Sequence, residues 1–142
     1  MVPFKKITQS ERNTIDSFLA RQSEKSLLHA IKSFADNEDT YYAIVEDMLV
    51  MRREKECTYY YTMPYGRGQL RYVLMQLMEN AKIMGCKCAI VLVDEDDSHA
   101  IESAMPGHFS CNKTDDGTII AEAVKDFSNS VFNNNESMVP AW

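Results

Sequence analysis

The chain has 142 residues, 45% of them hydrophobic and 25% charged, with a net charge of −6; that is the size and mix of one globular domain with a real core. The acidic balance excludes a nonspecific nucleic-acid binder, which needs a basic face to displace phosphate counterions, so DNA is not an expected partner. No apolar run approaches the roughly 20 residues of a membrane span, and Met1-Val2-Pro3-Phe4-Lys5-Lys6-Ile7 lacks the apolar core of a signal peptide, so the expected location is cytoplasmic.

Thr8-Gln9-Ser10-Glu11 has the form of a capping box, and Ile15, Phe18 and Leu19 follow at helical spacing. The first helix is expected from about Gln9 to Ala20. After a polar break, Leu27, Leu28, Ile31, Phe34 and Ala35 form the stripe of a second helix, with His29 off the stripe. Asp36 to Asp39 reads as a loop. Tyr41 to Val45 and Met48 to Arg52, joined by Glu46-Asp47, read as a tight hairpin. A polar connection over Arg53 to Glu56 leads to a third strand, Cys57 to Met63. One face of its tyrosines, Tyr59, Tyr60 and Tyr61, is expected in the core and the other as a wall beside the turn that follows.

Pro64-Tyr65-Gly66-Arg67-Gly68 breaks that strand. From Gln69 to Met84, Leu70, Val73, Leu74, Leu77, Met78 and Ala81 form a core-facing helical stripe. Gly85 stops the helix. Cys88 to Val93 is apolar at every position, as in a strand buried on both faces. Strand, helix and strand form a βαβ unit. Asp94 to Asp97 ends it, Ser98 is the expected N-cap of a short helix through Met105, and Pro106-Gly107 stops that helix. A last hairpin turns at Asp115-Asp116-Gly117, with Thr118 to Val124 as its second strand. The domain is expected over residues 1–127. The tail, 128–142, has no period and is expected to be poorly ordered or docked on a partner through Val139 and Trp142.

The glycine turn is the leading binding candidate. Gly66, Arg67 and Gly68, with the amides of Gln69 and Leu70, stand where a helix N-terminus can hold phosphate, and Arg67 and Arg71 can add charge. A turn between strand and helix also needs glycine for its geometry alone. The pattern is neither a dinucleotide fingerprint nor a P-loop. The acidic run Asp94 to Asp97 has no metal-ligand spacing and reads as a solvated, capping turn. His99 and His108 are of the residue type that serves as general acid or base, but neither has a nucleophile partner in sequence. The four cysteines read as free thiols of a reducing compartment: Cys86 and Cys88 alternate with strand period, while Cys57 and Cys111 stand alone. No metal site is expected.

This succession resembles the GNAT acyltransferases. The fold implied is α/β (α+β): a mixed, mostly antiparallel twisted sheet flanked by helices, with a central strand–Gly turn–helix–strand unit. The resemblance implies that the strand before the glycine turn splays from its parallel neighbour, and that acyl-CoA enters the gap with its pyrophosphate on the turn. Against the family signature Gln/Arg-x-x-Gly-x-Gly/Ala the chain has Met63-Pro64-Tyr65-Gly66-Arg67-Gly68, with methionine leading. Gly107-His108-Phe109 is similar to the end of a later family pattern, without the tyrosine that serves as general acid.

A second resemblance is to the first unit of the DUF2156 family, the C-terminal domain type of phosphatidylglycerol lysyltransferases, which look like two GNAT-like units in tandem. Phe4-Lys5-Lys6-Ile7-Thr8-Gln9-Ser10-Glu11-Arg12 is similar to its opening, Phe-x-x-Ile-x-x-x-(Asp/Glu)-Arg. The tyrosine strand, Pro64-Tyr65-Gly66-Arg67-Gly68 and Pro106-Gly107-His108-Phe109 follow in family order. The family continues into a second unit, where aminoacyl transfer is thought to occur, and this chain goes to Phe127-Ser128-Asn129-Ser130 instead. The expected function is therefore a binding or assembly module without transfer activity alone, contacting a protein partner or another copy of itself. The alternative is a single-domain acyl-CoA-dependent N-acyltransferase with Glu46, His99 or His108 as acid or base.

Overall fold

The computed structural model describes residues 2–20, 39–115 and 117–124. The expected second helix, the Asp36 to Glu38 part of the loop, Asp116 and the tail lie outside the described residues. The elements run β1 (Lys5–Lys6), α1 (Gln9–Ala20), β2 (Tyr41–Val45), β3 (Met48–Lys55), β4 (Thr58–Thr62), β5 (Tyr65–Gly66), α2 (Leu70–Ile83), β6 (Lys87–Val93), α3 (Glu95–Ala104), β7 (Phe109–Lys113) and β8 (Ile119–Ala123). The strands form one sheet in the order β1-β2-β3-β4-β6-β8-β7, with β5 returning to β3. Among the described residues only β4 and β6 pair in parallel, from Thr58 opposite Lys87 to Thr62 opposite Val91. The architecture is thus the mixed, mostly antiparallel sheet expected from sequence, with the βαβ unit β4–α2–β6 at its centre.

Turn chemistry sets the register. Glu46 and Asp47 have φ of 51° and 62°, so β2 and β3 meet in the two-residue, left-handed turn whose twist matches a hairpin. Glu56 and Cys57 repeat this conformation, at 50° and 60°, between β3 and β4. The second turn corrects the expected connection over Arg53 to Glu56. Arg53, Glu54 and Lys55 are strand, paired with Tyr60, Tyr59 and Thr58. Their polarity marks a sheet end that projects past the core, since backbone pairing does not require apolar side chains.

The sheet has two faces. On one, Tyr59, Tyr61, Cys88 and Ile90 pack against Val73, Leu74, Leu77 and Ala81 of α2 and Ile101 of α3. Leu74 and Leu77 are fully buried, each worth about 2 kcal/mol or more by apolar burial. Tyr61 fixes the helix against the strand: its hydroxyl donates to the Leu77 carbonyl and accepts from Asn80 Nδ2, both at 3.1 Å. At the rim of this face, the Arg52 guanidinium sits within 4.9 Å of the ring centres of Phe4, Tyr41 and Tyr59, a cation held by aromatic faces. On the other face, Ile15 and Phe18 of α1 cover Tyr42, Leu49 and Met51.

The end of α2 follows the Schellman pattern. Gly85 has φ of 72°, its amide donates to the Lys82 carbonyl at 3.0 Å, and the Cys86 amide donates to the Ala81 carbonyl at 2.8 Å. The start of α3 differs from expectation. Asp94, not Ser98, is the N-cap, in a capping box with Asp97. Asp94 Oδ1 accepts from the Asp97 amide at 2.7 Å, and Asp97 Oδ2 accepts from the Asp94 amide at 3.1 Å. The Asp94 carboxylate also faces the positive end of the helix dipole, and Ser98 lies inside the helix, its hydroxyl donating to the Glu95 carbonyl at 2.8 Å. No helix among the described residues is long and apolar enough to cross a membrane.

Candidate functional site

The two central strands part at one point. The Met63 amide still donates to the Val91 carbonyl, at 2.8 Å. Beyond it, Tyr65 pairs with Leu49 and Gly66 with Met48, so the chain has left β6 for β3. In regular register with β3, Pro64 would stand opposite Leu49; Tyr65 does so instead. Met63 and Pro64 together oppose Val50, which is a β-bulge. Thr62 Oγ1 completes it by accepting the buried Met51 amide at 2.9 Å. Strand β6 is irregular at the same level. Its register with β8 shifts between Ile90 and Val93, and Leu92 lies at φ of 60°. Both walls of the gap are therefore bulged where they diverge.

This corrects the reading of residues 64–68 as a simple break: the strand resumes at Tyr65. The sequence signal was Pro64, because proline has no amide to give a ladder and inside a sheet is confined to edges and bulges. Nothing in the sequence marks Leu92.

The glycines are explained by what they touch. A Cβ built on Gly66 would collide with the Asp47 carbonyl oxygen and come within 3.1 Å of Phe18 Cζ; one on Gly68 would collide with the Glu46 carbonyl oxygen and lie 2.8 Å from Met48 Cγ. The loop thus lies directly on the β2–β3 turn, and both positions lack room for any side chain. The helix start behind it carries no side-chain cap. Gln69 is the N-cap, and no acidic residue occupies the first turn. The amides of Leu70, Arg71 and Tyr72 are orphans of the helix end, with the partial positive charge that such amides carry.

The expected charges divide. Arg67 is exposed on the loop. Arg71 turns away: its Nη1 donates to the Ala104 carbonyl at 2.8 Å, which caps the C-terminal end of α3. Glu46 joins the site through its carbonyl under Gly68, with its side chain exposed. His99 is exposed on α3. His108 stands apart from the gap. Its carbonyl accepts from the Val124 amide at 2.8 Å, which sets it level with the start of β6 through the β7–β8–β6 register. Its Nδ1 lies 3.1 Å from the Pro106 carbonyl. The structure therefore brings Glu46 to Gly66, Arg67 and Gly68, and does not bring His108 to them. Tyr60, expected as a wall beside the glycine turn, instead lines a groove at the far end of β4 with Cys57, Lys87 and Ala89. The aromatic residue at the glycine turn is Tyr65, packed with the α1 face of the sheet.

A parallel pair that opens before a glycine turn and a helix N-terminus, inside an otherwise antiparallel sheet, decides the architecture. The fold is GNAT-like. Solved structures agree. The PaiA N-acetyltransferase of Thermoplasma acidophilum, in complex with coenzyme A, matches with a TM-score of 0.52 and 13% identity over 87% of this chain and 98% of its own. A Bacteroides thetaiotaomicron protein ascribed to the GNAT acetyltransferase family matches with a TM-score of 0.53 and 14% identity over 89% of this chain and 92% of its own. A conserved B. thetaiotaomicron protein of unknown function matches with a TM-score of 0.69 and 28% identity over 80% of this chain. The match spans 40% of that longer protein. No family model and no curated protein matches the sequence.

Proposed function

We propose that this chain is a GNAT-fold binding or assembly unit of the kind that forms the first half of DUF2156 proteins, without transfer activity alone. The observation that carries the reading is the packing of Gly66 and Gly68 onto the Glu46-Asp47 turn, which explains both glycines as scaffold. Three further points support it. Arg71 is spent on the Ala104 carbonyl, methionine stands at position 63 where the signature has Gln or Arg, and the chain is similar to less than half of a longer B. thetaiotaomicron protein. In such an arrangement a second GNAT-like unit supplies the reacting groups.

A second reading is favoured by one observation, the uncapped N-terminus of α2 beside the gap at Met63 and Val91. There a single-domain acyltransferase would seat the pyrophosphate of acyl-CoA on the amides of Gly66 to Leu70. Glu46, whose carbonyl lies under Gly68, is then the candidate base. Calorimetric titration of coenzyme A and acetyl-CoA into the chain separates the two readings, with Arg67→Glu as the control. This exposed residue is preferable to either glycine, whose substitution disturbs the fold. The module reading expects no heat at millimolar ligand. Micromolar binding that Arg67→Glu weakens tenfold or more overturns it in favour of the enzyme.

A further inference from the structure

Away from the gap, the fold brings together two thiols that are 29 positions apart in the chain. Cys57 closes the β3–β4 turn, and Cys86 follows the glycine that ends α2. Because Thr58 stands opposite Lys87 in the parallel ladder, the residues before them become neighbours, and the Lys87 amide donates to the Cys57 carbonyl at 2.9 Å. The two sulfurs lie 3.7 Å apart. Cys57 thus does not stand alone, as its sequence position suggested. Both backbones are held: Cys57 by its left-handed turn, Cys86 by its bond to the Ala81 carbonyl. A disulfide needs the sulfurs at about 2.05 Å, a closure of about 1.6 Å between side chains already side by side.

The two thiols differ in access. Cys57 is exposed and Cys86 buried. Burial first, then the neighbouring Cys57 and the charge of Glu54, push the Cys86 thiol up to about 11. Both open on a groove of about 880 Å³, lined also by Lys82, Lys87 and Tyr60. It has room for a peptide-sized ligand.

We propose that Cys57 and Cys86 form a reversible disulfide, made by exchange with a low-molecular-weight disulfide of the glutathione class that enters this groove. The Cys57 thiolate attacks one sulfur of the small disulfide. That S–S bond breaks, one small thiolate leaves and takes up a proton, and a mixed disulfide remains on Cys57. The Cys86 thiol gives its proton to solvent, attacks the Cys57 sulfur and expels the second small thiolate, which is protonated in turn. Two protein thiols are oxidised and one small disulfide is reduced to two thiols. The product ties the end of α2 and the start of β6 to the turn entering β4, so that the central βαβ unit is closed covalently.

The test incubates the full chain in glutathione buffers of increasing oxidised fraction, quenches with an alkylating agent, and reads intact mass and unreduced tryptic peptides. The expected result is alkylation of two of the four thiols, loss of two hydrogen masses, and a cross-linked peptide joining Cys57 to Cys86. Tm should rise by about 10 °C on oxidation and fall back with dithiothreitol. Cys86→Ala should instead stop at a glutathione adduct on Cys57. A stable adduct on Cys57 in the native chain, a cross-link to Cys88 or Cys111, or four free thiols under fully oxidising buffer would each overturn the proposal. So would a Cys86→Ala chain in which Cys57 stays reduced.

Discussion

The Met63 amide donates to the Val91 carbonyl at 2.8 Å, and past this bond the two central strands have different partners. Tyr65 goes to β3, and β6 bulges around Leu92, whose side chain packs with the α1 face of the sheet. The opening between parallel strands is therefore built, with one bulge on each wall. Thr62 makes the first bulge affordable by giving the Met51 amide a hydroxyl where the ladder gives it no carbonyl.

Thr62→Val tests that role. Valine keeps the shape and the strand preference, but leaves the Met51 amide buried and unpaired. The expected loss is about 1–3 kcal/mol, read as a lower urea midpoint with unchanged slope. Thr62→Ser, which keeps the acceptor, should recover most of it. Equal stability of Thr62→Val and the native chain would mean that the amide finds another partner.

Two glycines should respond in opposite proportion to what their conformation alone suggests. Gly85 has positive φ and open space around its missing side chain; Gly68 is crowded by the Glu46 carbonyl and Met48 Cγ. Gly85→Ala should cost about 1 kcal/mol, the strain of a left-handed alanine. Gly68→Ala forces the loop off the β2–β3 turn and should cost more, about 2–3 kcal/mol as overpacking. Urea unfolding of the two variants side by side ranks them.

Elements whose signal is local were legible in the sequence. The stripe from Leu70 to Ala81 predicted α2, Gly85 predicted its end, and Glu46-Asp47 between two apolar runs predicted the hairpin. Features that depend on what another segment offers were not. Arg53 to Lys55 look like a loop until β4 is known to pair with them. Gly66 and Gly68 look like a phosphate cradle until the Glu46 carbonyl is seen beneath them. Cys57 and Cys86 look unrelated because only the parallel register joins them. The bulge at Met63-Pro64 had a signal in Pro64; the one at Leu92 had none.

The β2–β3 turn offers a gain of stability. Glu46 and Asp47 both hold left-handed φ, which asparagine and glycine adopt at far lower cost. The double change Glu46→Asn with Asp47→Gly should stabilise the chain by about 1 kcal/mol, seen as a higher urea midpoint. It also removes the Glu46 carboxylate, so an acyltransferase that uses Glu46 as base would become more stable and less active together.

Stability should fall in alkali, and the sign follows from burial. Cys88 is pushed up to about 12 by desolvation and Cys86 to about 11. Desolvation also raises Tyr42, Tyr59 and Tyr61 above the ordinary phenol value. In the unfolded chain the thiols ionise near about 8.5 and the phenols near about 10. The folded state therefore keeps protons that the unfolded state releases. The stability is fully present below about pH 8.5 and is lost as pH rises toward about 12, by up to about 1.4 kcal/mol per pH unit for each group in its window. Urea midpoints measured under reductant should be level from pH 7 to 8 and decline from pH 9 upward. Cys88→Ala should remove about half of the decline between pH 9 and 10, before the phenols enter, and leave the part due to Cys86. A flat profile to pH 11 in the native chain would contradict the burial of these groups.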